Sequence, residues 1–142
     1  MTPDYMGRQK FAYLMFIDDD YPTNVFHEIV IKEANVCETY RFFNSAEEAV
    51  LHLVETSTNA PHHLPDLVFL DLNMPGTNGW DLLDRLATIP ALKYLKVILL
   101  STSRQLRDIQ QSETIPMVYS YLPKPLTSAD LLQLAEELLD AQ

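Results

Sequence analysis

The sequence predicts an α/β fold in which helices cover both faces of a five-stranded parallel sheet. Five short apolar runs rich in aromatic and β-branched residues occur along the 142-residue chain, and each is followed by apolar residues with helical spacing. Such runs are typical of strands buried on both faces, and the alternation with helices is typical of parallel crossover units. The strands are predicted at residues 11–17, 36–43, 66–70, 96–100 and 117–122.

Polar side chains stand at the carboxyl ends of four of these strands. The first strand, with the sequence FAYLMFI, is followed by two acids. The second strand is weaker, although its threonine and aromatic residues favour an extended chain. The third strand ends before another acid, and a turn with proline and glycine follows. The strand-end residues are Asp18, Asp19, Asp71, Ser101 and Lys124.

Five helices are predicted between the strands. Ser45 and Glu48 have the capping-box spacing at the start of the second helix, and Thr127 can cap the last helix, whose leucines form a broad apolar stripe. Leu106 and Ile109 are the only apolar residues of the fourth helix, which we expect to be marginally stable. The polar segment 56–65, which contains proline, is predicted to be a loop. The helices are predicted at residues 25–34, 46–54, 80–87, 104–112 and 127–139.

Five parallel strands with covering helices form a doubly wound sheet, and the flavodoxin-like order 2-1-3-4-5 places strands one and three side by side. Right-handed crossovers leave few other arrangements. Ligands of such sheets bind beyond the carboxyl ends of the strands, so Asp18, Asp19 and Asp71 are expected in one crevice. Three carboxylates at one point repel one another unless a hard cation such as Mg²⁺ neutralises them. With Ser101 and Lys124 beside them, the acids indicate phosphoryl transfer to a carboxylate.

Composition limits the partners and the location of the chain. Its length predicts a single domain over residues 1–142, with a core at about 11–140 and an N-terminal extension at 1–10. The formal charge of −10 disfavours direct binding to nucleic acid or to an anionic membrane. No secretory signal or membrane-spanning run is expected, and the single cysteine, Cys37, favours a reducing cytoplasm. No output domain is expected after the last helix.

Four motifs occur in order at the predicted strand ends. They are Ile17-Asp18-Asp19-Asp20, Leu70-Asp71-Leu72-Asn73-Met74-Pro75-Gly76-x-x-Gly79, Ser101 placed 30 residues after Asp71, and Lys124-Pro125. With these motifs the chain resembles the receiver domain of response regulators, the CheY-like family of two-component signalling. The resemblance extends from about residue 11 to residue 139, and it is to the stand-alone, single-domain type.

The resemblance implies that Asp71 accepts a phosphoryl group from a phosphohistidine partner, either a sensor histidine kinase or a histidine phosphotransfer protein. It also implies that Mg²⁺ is bound by Asp19 and Asp71 directly, by Asp18 through water, and by the backbone carbonyl of Asn73. Two carboxylates, a carbonyl, a phosphoryl oxygen and water form a reasonable octahedral set. The implied output is a change of affinity for an unidentified downstream protein.

Lys124 is implied to pair with the phosphoryl group, and the Lys124–Pro125 peptide is expected to be cis, which proline makes accessible. Ser101 and Tyr121 resemble the switch pair of the family, in which a hydroxyl binds the phosphoryl group and an aromatic ring moves into the space left by its loop. An effector, a phosphorelay intermediate and a phosphate sink remain open as roles.

Two alternatives belong to other functional classes. The first is a pseudo-receiver, a binding module with this fold that never takes phosphate. The second is a haloacid-dehalogenase-like phosphatase, which requires Asp-x-Asp-x-Thr after the first strand, whereas Asp18-x-Asp20 is followed here by Tyr21 and Pro22. We therefore expect no enzyme activity beyond the protein's own phosphorylation and the hydrolysis of its acyl phosphate.

Overall fold

The computed structural model describes residues 9–74, 76–103 and 105–139, and within them five strands form one sheet. Every neighbouring pair in this sheet is parallel, and the strand order is 2-1-3-4-5. The predicted fold class and strand order are therefore confirmed. The strands are β1 (Phe11–Ile17), β2 (Cys37–Phe43), β3 (Leu67–Asp71), β4 (Val97–Ser101) and β5 (Val118–Pro123).

Five α-helices connect and cover the strands in the described part of the chain. They are α1 (Tyr21–Ala34), α2 (Ala46–Asn59), α3 (Gly79–Ala87), α4 (Leu106–Glu113) and α5 (Ser128–Leu139). A two-residue antiparallel ladder between Asn73–Met74 and Thr77–Asn78 lies outside the main sheet, between β3 and α3. None of the helices described is both long and apolar enough to cross a membrane.

Two apolar cores lie on the two faces of the sheet. The core on one face includes Leu53 of α2 and Leu83 of α3, and the core on the other includes Ile31 of α1 and Leu134 of α5. β1, β3 and β4 lie in the middle of the sheet and contribute side chains to both cores, which explains their continuous apolar sequences. Packing on both faces holds the carboxyl ends of these strands in fixed relative positions.

Polar side chains cap α2 and α5 at the predicted places. Ser45 Oγ accepts a hydrogen bond from the Glu48 N–H at 3.3 Å at the start of α2. At the start of α5, the Thr127 N–H donates to Asp130 Oδ2 at 3.0 Å and the Asp130 N–H donates to Thr127 Oγ1 at 3.1 Å. These bonds satisfy amides that have no partner within the helix.

Three helix boundaries differ from the prediction by two residues or more. α1 begins at Tyr21, before the predicted start at residue 25, because Asp20 caps it and accepts a hydrogen bond from the Thr23 N–H at 3.1 Å. α2 continues to Asn59, into the segment predicted as a loop, and hydroxyl groups near its end bond to carbonyls of the helix itself. Thr56 Oγ1 donates to the His52 carbonyl at 2.7 Å, and Ser57 Oγ donates to the Val54 carbonyl at 2.7 Å. α4 begins at Leu106. The predicted start at Arg104 lies outside the described residues, as do residues 1–8, Pro75 and residues 140–142.

The apolar residues that predict α1 do not all face the core. Val25, Phe26 and Ile29 are 43%, 44% and 58% exposed, whereas the buried residues of α1 are His27, Val30 and Ile31. Helical spacing alone therefore identified the helix but not its buried face. The exposed side chains leave α1 with an apolar surface.

Candidate functional site

The three acids of the sequence motif lie together at the carboxyl end of the sheet. Asp18 follows β1 and Asp71 ends β3, and these strands are neighbours, with Ile17 opposite Leu70. One carboxylate oxygen from each of Asp18, Asp19 and Asp71 lies within 4.8 Å of the other two. Asp18 and Asp71 are 3% and 4% exposed, and Asp19 is exposed. Two buried carboxylates and one open to solvent thus share a single crevice.

Lys124 reaches the same crevice from the end of β5. Its Nζ lies 2.8 Å from Asp18 Oδ2 and 3.3 Å from Asp71 Oδ2. Its backbone N–H donates to the Ser101 carbonyl at 3.0 Å, which fixes the start of the loop. The Lys124–Pro125 peptide is cis, as predicted. The lysine therefore forms ion pairs with two of the three acids.

One ammonium does not fully neutralise this group of acids. Burial raises the pKa of Asp71, as does the charge of Asp18, while the Asn73 N–H bond and Lys124 act in the opposite direction. Burial alone would lower the pKa of Lys124, but the hydrogen bonds and charges of Asp18 and Asp71 outweigh it and raise that pKa. Lys124 is closer to Asp18 than to Asp71, so of these two buried acids Asp71 has the charge that the ammonium compensates less well.

The residues present fit a hard divalent cation. Three carboxylates, each with an oxygen within 4.8 Å of the other two and one of them open to solvent, supply the oxygen donors that Mg²⁺ prefers. Asn73 lies at the edge of the same site, because its backbone N–H donates to Asp71 Oδ1 at 3.1 Å. Among the residues the structure describes, these acids are the ones grouped closely enough to hold a metal ion.

Ser101 lies at the end of β4, fully buried, and connects the site to the next loop. Its Oγ accepts hydrogen bonds from Asn73 Nδ2 at 3.2 Å and from the Ser103 N–H at 3.0 Å. Ser103 Oγ donates to Asp108 Oδ2 of α4 at 2.8 Å. The Tyr121 hydroxyl donates to the Ser103 carbonyl at 3.0 Å. A continuous set of hydrogen bonds thus joins the crevice to α4 and β5.

Two contacts from α1 were not identified from the sequence. Asn24 Nδ2 donates to the Asp18 carbonyl at 3.0 Å, and His27 Nε2 accepts a hydrogen bond from the Leu126 N–H at 3.0 Å. The sequence feature that could have indicated the His27 contact was a histidine among the apolar residues of a helix near a predicted site. It was not enough, because the partner of His27 lies 99 residues away in the sequence.

The fold, the acids and the strand-end lysine define a signalling domain of the two-component class. The chain belongs to the response regulator receiver domain family, whose sequence profile matches residues 14–136. It is therefore the receiver domain of a two-component response regulator.

Particular relatives are similar over most of the domain. A two-component response regulator from Cytophaga hutchinsonii is 31% identical with a TM-score of 0.83, and the match covers 92% of this chain and 98% of that one. The phosphorylated cyanobacterial phytochrome response regulator RcpA is 28% identical with a TM-score of 0.65, over 89% of this chain and 90% of that one.

A further relative matches a smaller part of this chain. The "Probable methanogenesis regulatory protein FilR2" of Methanothrix harundinacea (strain 6Ac) is 31% identical over 91 residues. This match covers 64% of the present chain and 58% of the relative, so it spans less than two thirds of that protein's length.

Proposed function

We propose that this receiver domain takes a phosphoryl group onto Asp71 from a phosphohistidine of a sensor histidine kinase or histidine phosphotransfer protein, and that this changes its affinity for another protein. The observation that carries the proposal is the convergence of Asp71 with Asp18, Asp19 and Lys124 in one crevice. A buried carboxylate beside a cation and further metal-binding acids is suited to attack phosphorus. The phosphorylated state of the relative RcpA also supports the proposal.

In the proposed transfer, phosphorus exchanges its bond to the donor histidine for a bond to Asp71. A carboxylate oxygen of Asp71 forms a bond to phosphorus while the P–N bond of the phosphohistidine breaks, and the electron pair of that bond stays with the leaving imidazole. Lys124 pairs with the phosphoryl oxygens. We propose that Mg²⁺ is held by Asp19 and Asp71, by Asp18 through water, and by the Asn73 carbonyl. When bound, it supplies positive charge against the oxygens of the transferring group.

We propose that Ser101 and Tyr121 transmit the phosphorylation of Asp71 to β5 and α4. The Ser101 hydroxyl rotates to donate to a phosphoryl oxygen, so it no longer accepts from Ser103 and Asn73 in the same geometry. The loop that carries Ser103 then shifts, and the Tyr121 hydroxyl loses the carbonyl to which it donates. A new charge at Asp71 is thereby converted into a packing change at β5 and α4.

The exposed apolar surface of α1 supports a protein as the phosphoryl donor. Phe26 lines a cleft together with Pro22 and Lys124, so this surface continues directly into the site. A small phosphodonor needs no such surface, whereas a donor protein can bury it. Phe26→Asp should therefore slow transfer from a phosphohistidine protein while leaving the reaction with acetyl phosphate unchanged. Equal rates for both donors would contradict a role of this surface.

The phosphoacceptor proposal is tested by intact mass after incubation with acetyl phosphate and Mg²⁺. The wild type should gain one phosphoryl group that alkali removes, and Asp71→Asn should gain none while retaining its fold. Asp20→Asn is the matched control, because Asp20 is an exposed acid beside the site whose capping role asparagine can also fill. It should be phosphorylated like the wild type, and chelation of Mg²⁺ should prevent the adduct in both.

Other outcomes identify the alternatives. If the wild type gains no phosphoryl group at any Mg²⁺ concentration, the chain is a pseudo-receiver that binds its partner without phosphorylation. Sustained turnover of simple phosphate esters would instead indicate a phosphatase with an aspartyl nucleophile. A phosphoryl group that persists in Asp71→Asn would assign the chemistry to another residue.

A further inference from the structure

The imidazole of His27 joins α1 to the loop that carries Lys124. Its Nε2 accepts the Leu126 N–H at 3.0 Å, and both residues are buried, at 1% and 0% exposed. Because Nε2 is the acceptor, the neutral imidazole carries its proton on Nδ1. Burial lowers the pKa of His27, Asp18 opposes this shift and Lys124 adds to it, so the net effect favours the neutral ring.

The His27 bond is one of two that fix the backbone from Lys124 to Leu126. The Lys124 N–H donates to the Ser101 carbonyl at 3.0 Å, and Pro125 has no N–H to donate. The remaining amide in this stretch, that of Leu126, donates to His27. β4 therefore holds one end of the stretch and α1 holds the other.

The same helix also holds the acid that faces the lysine. Asn24, three residues before His27 and therefore on the same side of α1, donates from Nδ2 to the Asp18 carbonyl at 3.0 Å. α1 thus contacts the backbone on both sides of the ion pair between Lys124 and Asp18, whose charged atoms are 2.8 Å apart. A rigid helix that contacts both partners can set their separation.

We propose that His27 is a positioning residue for phosphoryl transfer, which holds Lys124 at the crevice through the Leu126 N–H. This inference rests on the proposed phosphoacceptor function of Asp71. His27 acts through the lysine rather than on the reacting atoms. Its contribution is to fix the loop before the donor arrives, since displacement of a charged group by about 1 Å can slow a reaction up to roughly a hundredfold.

A matched pair of variants separates the hydrogen bond from packing. His27→Leu introduces an apolar side chain of similar volume and removes the hydrogen-bond acceptor. His27→Gln instead offers an amide oxygen as acceptor at a similar distance from the backbone. Val30→Ala is the control for general destabilisation, because Val30 is buried on the same face of α1 and its side chain forms no hydrogen bond. The rate measured is phosphorylation of Asp71 by acetyl phosphate at saturating Mg²⁺, per folded molecule.

We expect His27→Leu to slow phosphorylation about tenfold and His27→Gln to recover it to within about threefold of the wild type. Val30→Ala should react at the wild-type rate, and Mg²⁺ affinity should change less than about twofold in all three variants. In a Lys124→Ala background, His27→Leu should cause no further loss, because a residue that acts through the lysine has no effect without it.

The outcomes distinguish this proposal from the one on which it rests. If the wild type is phosphorylated and His27→Leu reacts no more slowly than Val30→Ala, the positioning role is wrong and the phosphoacceptor role stands. Additive losses in the double variant would also overturn it. The ¹⁵N signals of the ring give a readout independent of phosphorylation: a proton on Nε2 would contradict the bond to Leu126 directly. A wild type that takes no phosphoryl group overturns both proposals.

Discussion

Replacement of Lys124 by methionine tests the electrostatics of the crevice before any phosphoryl transfer. Methionine keeps most of the length of the side chain and removes the charge, so Asp18 and Asp71 lose the ammonium now 2.8 Å and 3.3 Å away. Removal of one partner from a buried ion pair costs about 3–5 kcal/mol. Solvent reaches Asp19 and part of the lysine, so we expect a somewhat smaller loss in the free energy of unfolding, about 2–4 kcal/mol at neutral pH without divalent cations.

Thermal unfolding in a chelating buffer measures this loss. For a chain of this length, about 2–4 kcal/mol corresponds to a Tm lower by roughly 5–15 °C. Lys96→Met is the matched control, because it removes the same charge from an exposed lysine and should change stability by less than about 0.5 kcal/mol. Equal Tm values for the two variants would refute the idea that the ion pairs of Lys124 stabilise the fold.

Mg²⁺ should restore much of the lost stability, since a cation bound to the acids replaces the missing charge and stabilises the folded state by mass action. The variant should therefore gain more from Mg²⁺ than the wild type. If both gain equally, the metal binds elsewhere.

The stability difference also has a predicted pH dependence. The folded-state pKa of Lys124 lies above its ordinary value of 10.5, so the contribution of the lysine is complete below 10.5 and is lost as the pH rises through the folded-state pKa. The pKa of Asp71 is raised as well, so its ionised form destabilises the folded state at neutral pH. This destabilisation disappears at low pH, where Asp71 takes a proton. The gap between wild type and variant should therefore be widest near neutral pH.

Two further substitutions test single contacts near the site, and a third serves as a control. Gly79→Ala would place a Cβ 2.8 Å from Leu72 Cα and 3.1 Å from its carbonyl oxygen, so we expect a loss of about 1–3 kcal/mol in urea unfolding. Gly76→Ala, where the new Cβ meets open space, should lose only the roughly 1 kcal/mol due to its positive φ of 74°; equal losses would contradict the clash. Tyr121→Phe removes the bond to the Ser103 carbonyl and should lose about 0.5–1.5 kcal/mol, with phosphorylation of Asp71 unchanged; a slower reaction would place Tyr121 in the chemistry.

The fold was predictable from the sequence because its middle strands are buried on both faces. β1 is apolar along its whole length and matches its predicted bounds, and the acids that follow β1 and β3 meet because the strand order makes these strands neighbours. The buried face of α1 was not predictable. Its apolar residues outnumber the positions that the core can take, and the helix buries His27 while it exposes Ile29.

The contacts that support the site were harder to predict than the site itself. The acids and the lysine are set by where strands end, which is a local property of the sequence. The bond between His27 and Leu126 depends on how α1 packs against α5, which follows the loop of Leu126, and no local sequence pattern encodes this packing. The residues that support a site are therefore the part of it that sequence reasoning misses first.

The route from the crevice to α4 depends on Ser103, and this can be tested directly. α4 buries only Ser112 among its residues, and Gln105, which precedes it, makes no capping bond with its side chain. Instead, Ser103 Oγ accepts the Gln105 N–H at 3.2 Å and donates to Asp108 Oδ2 at 2.8 Å. Ser103→Ala removes both bonds, so we expect α4 to lose about 1–2 kcal/mol of local stability.

Hydrogen exchange measures this loss where it occurs. The amides of α4 should exchange roughly 5–30-fold faster in Ser103→Ala, and those of β1 and β3 should be unchanged, because neither strand contacts the loop through Ser103. Thr102→Ala, at the exposed neighbouring position, should leave α4 at the wild-type rate. Because the Ser103 N–H also donates to Ser101 Oγ, faster exchange confined to α4 would mean that one residue connects the acid site to this helix. Unchanged exchange in α4 would mean that other contacts hold the helix, and a signal from Asp71 would then have to reach the surface through Tyr121 and β5.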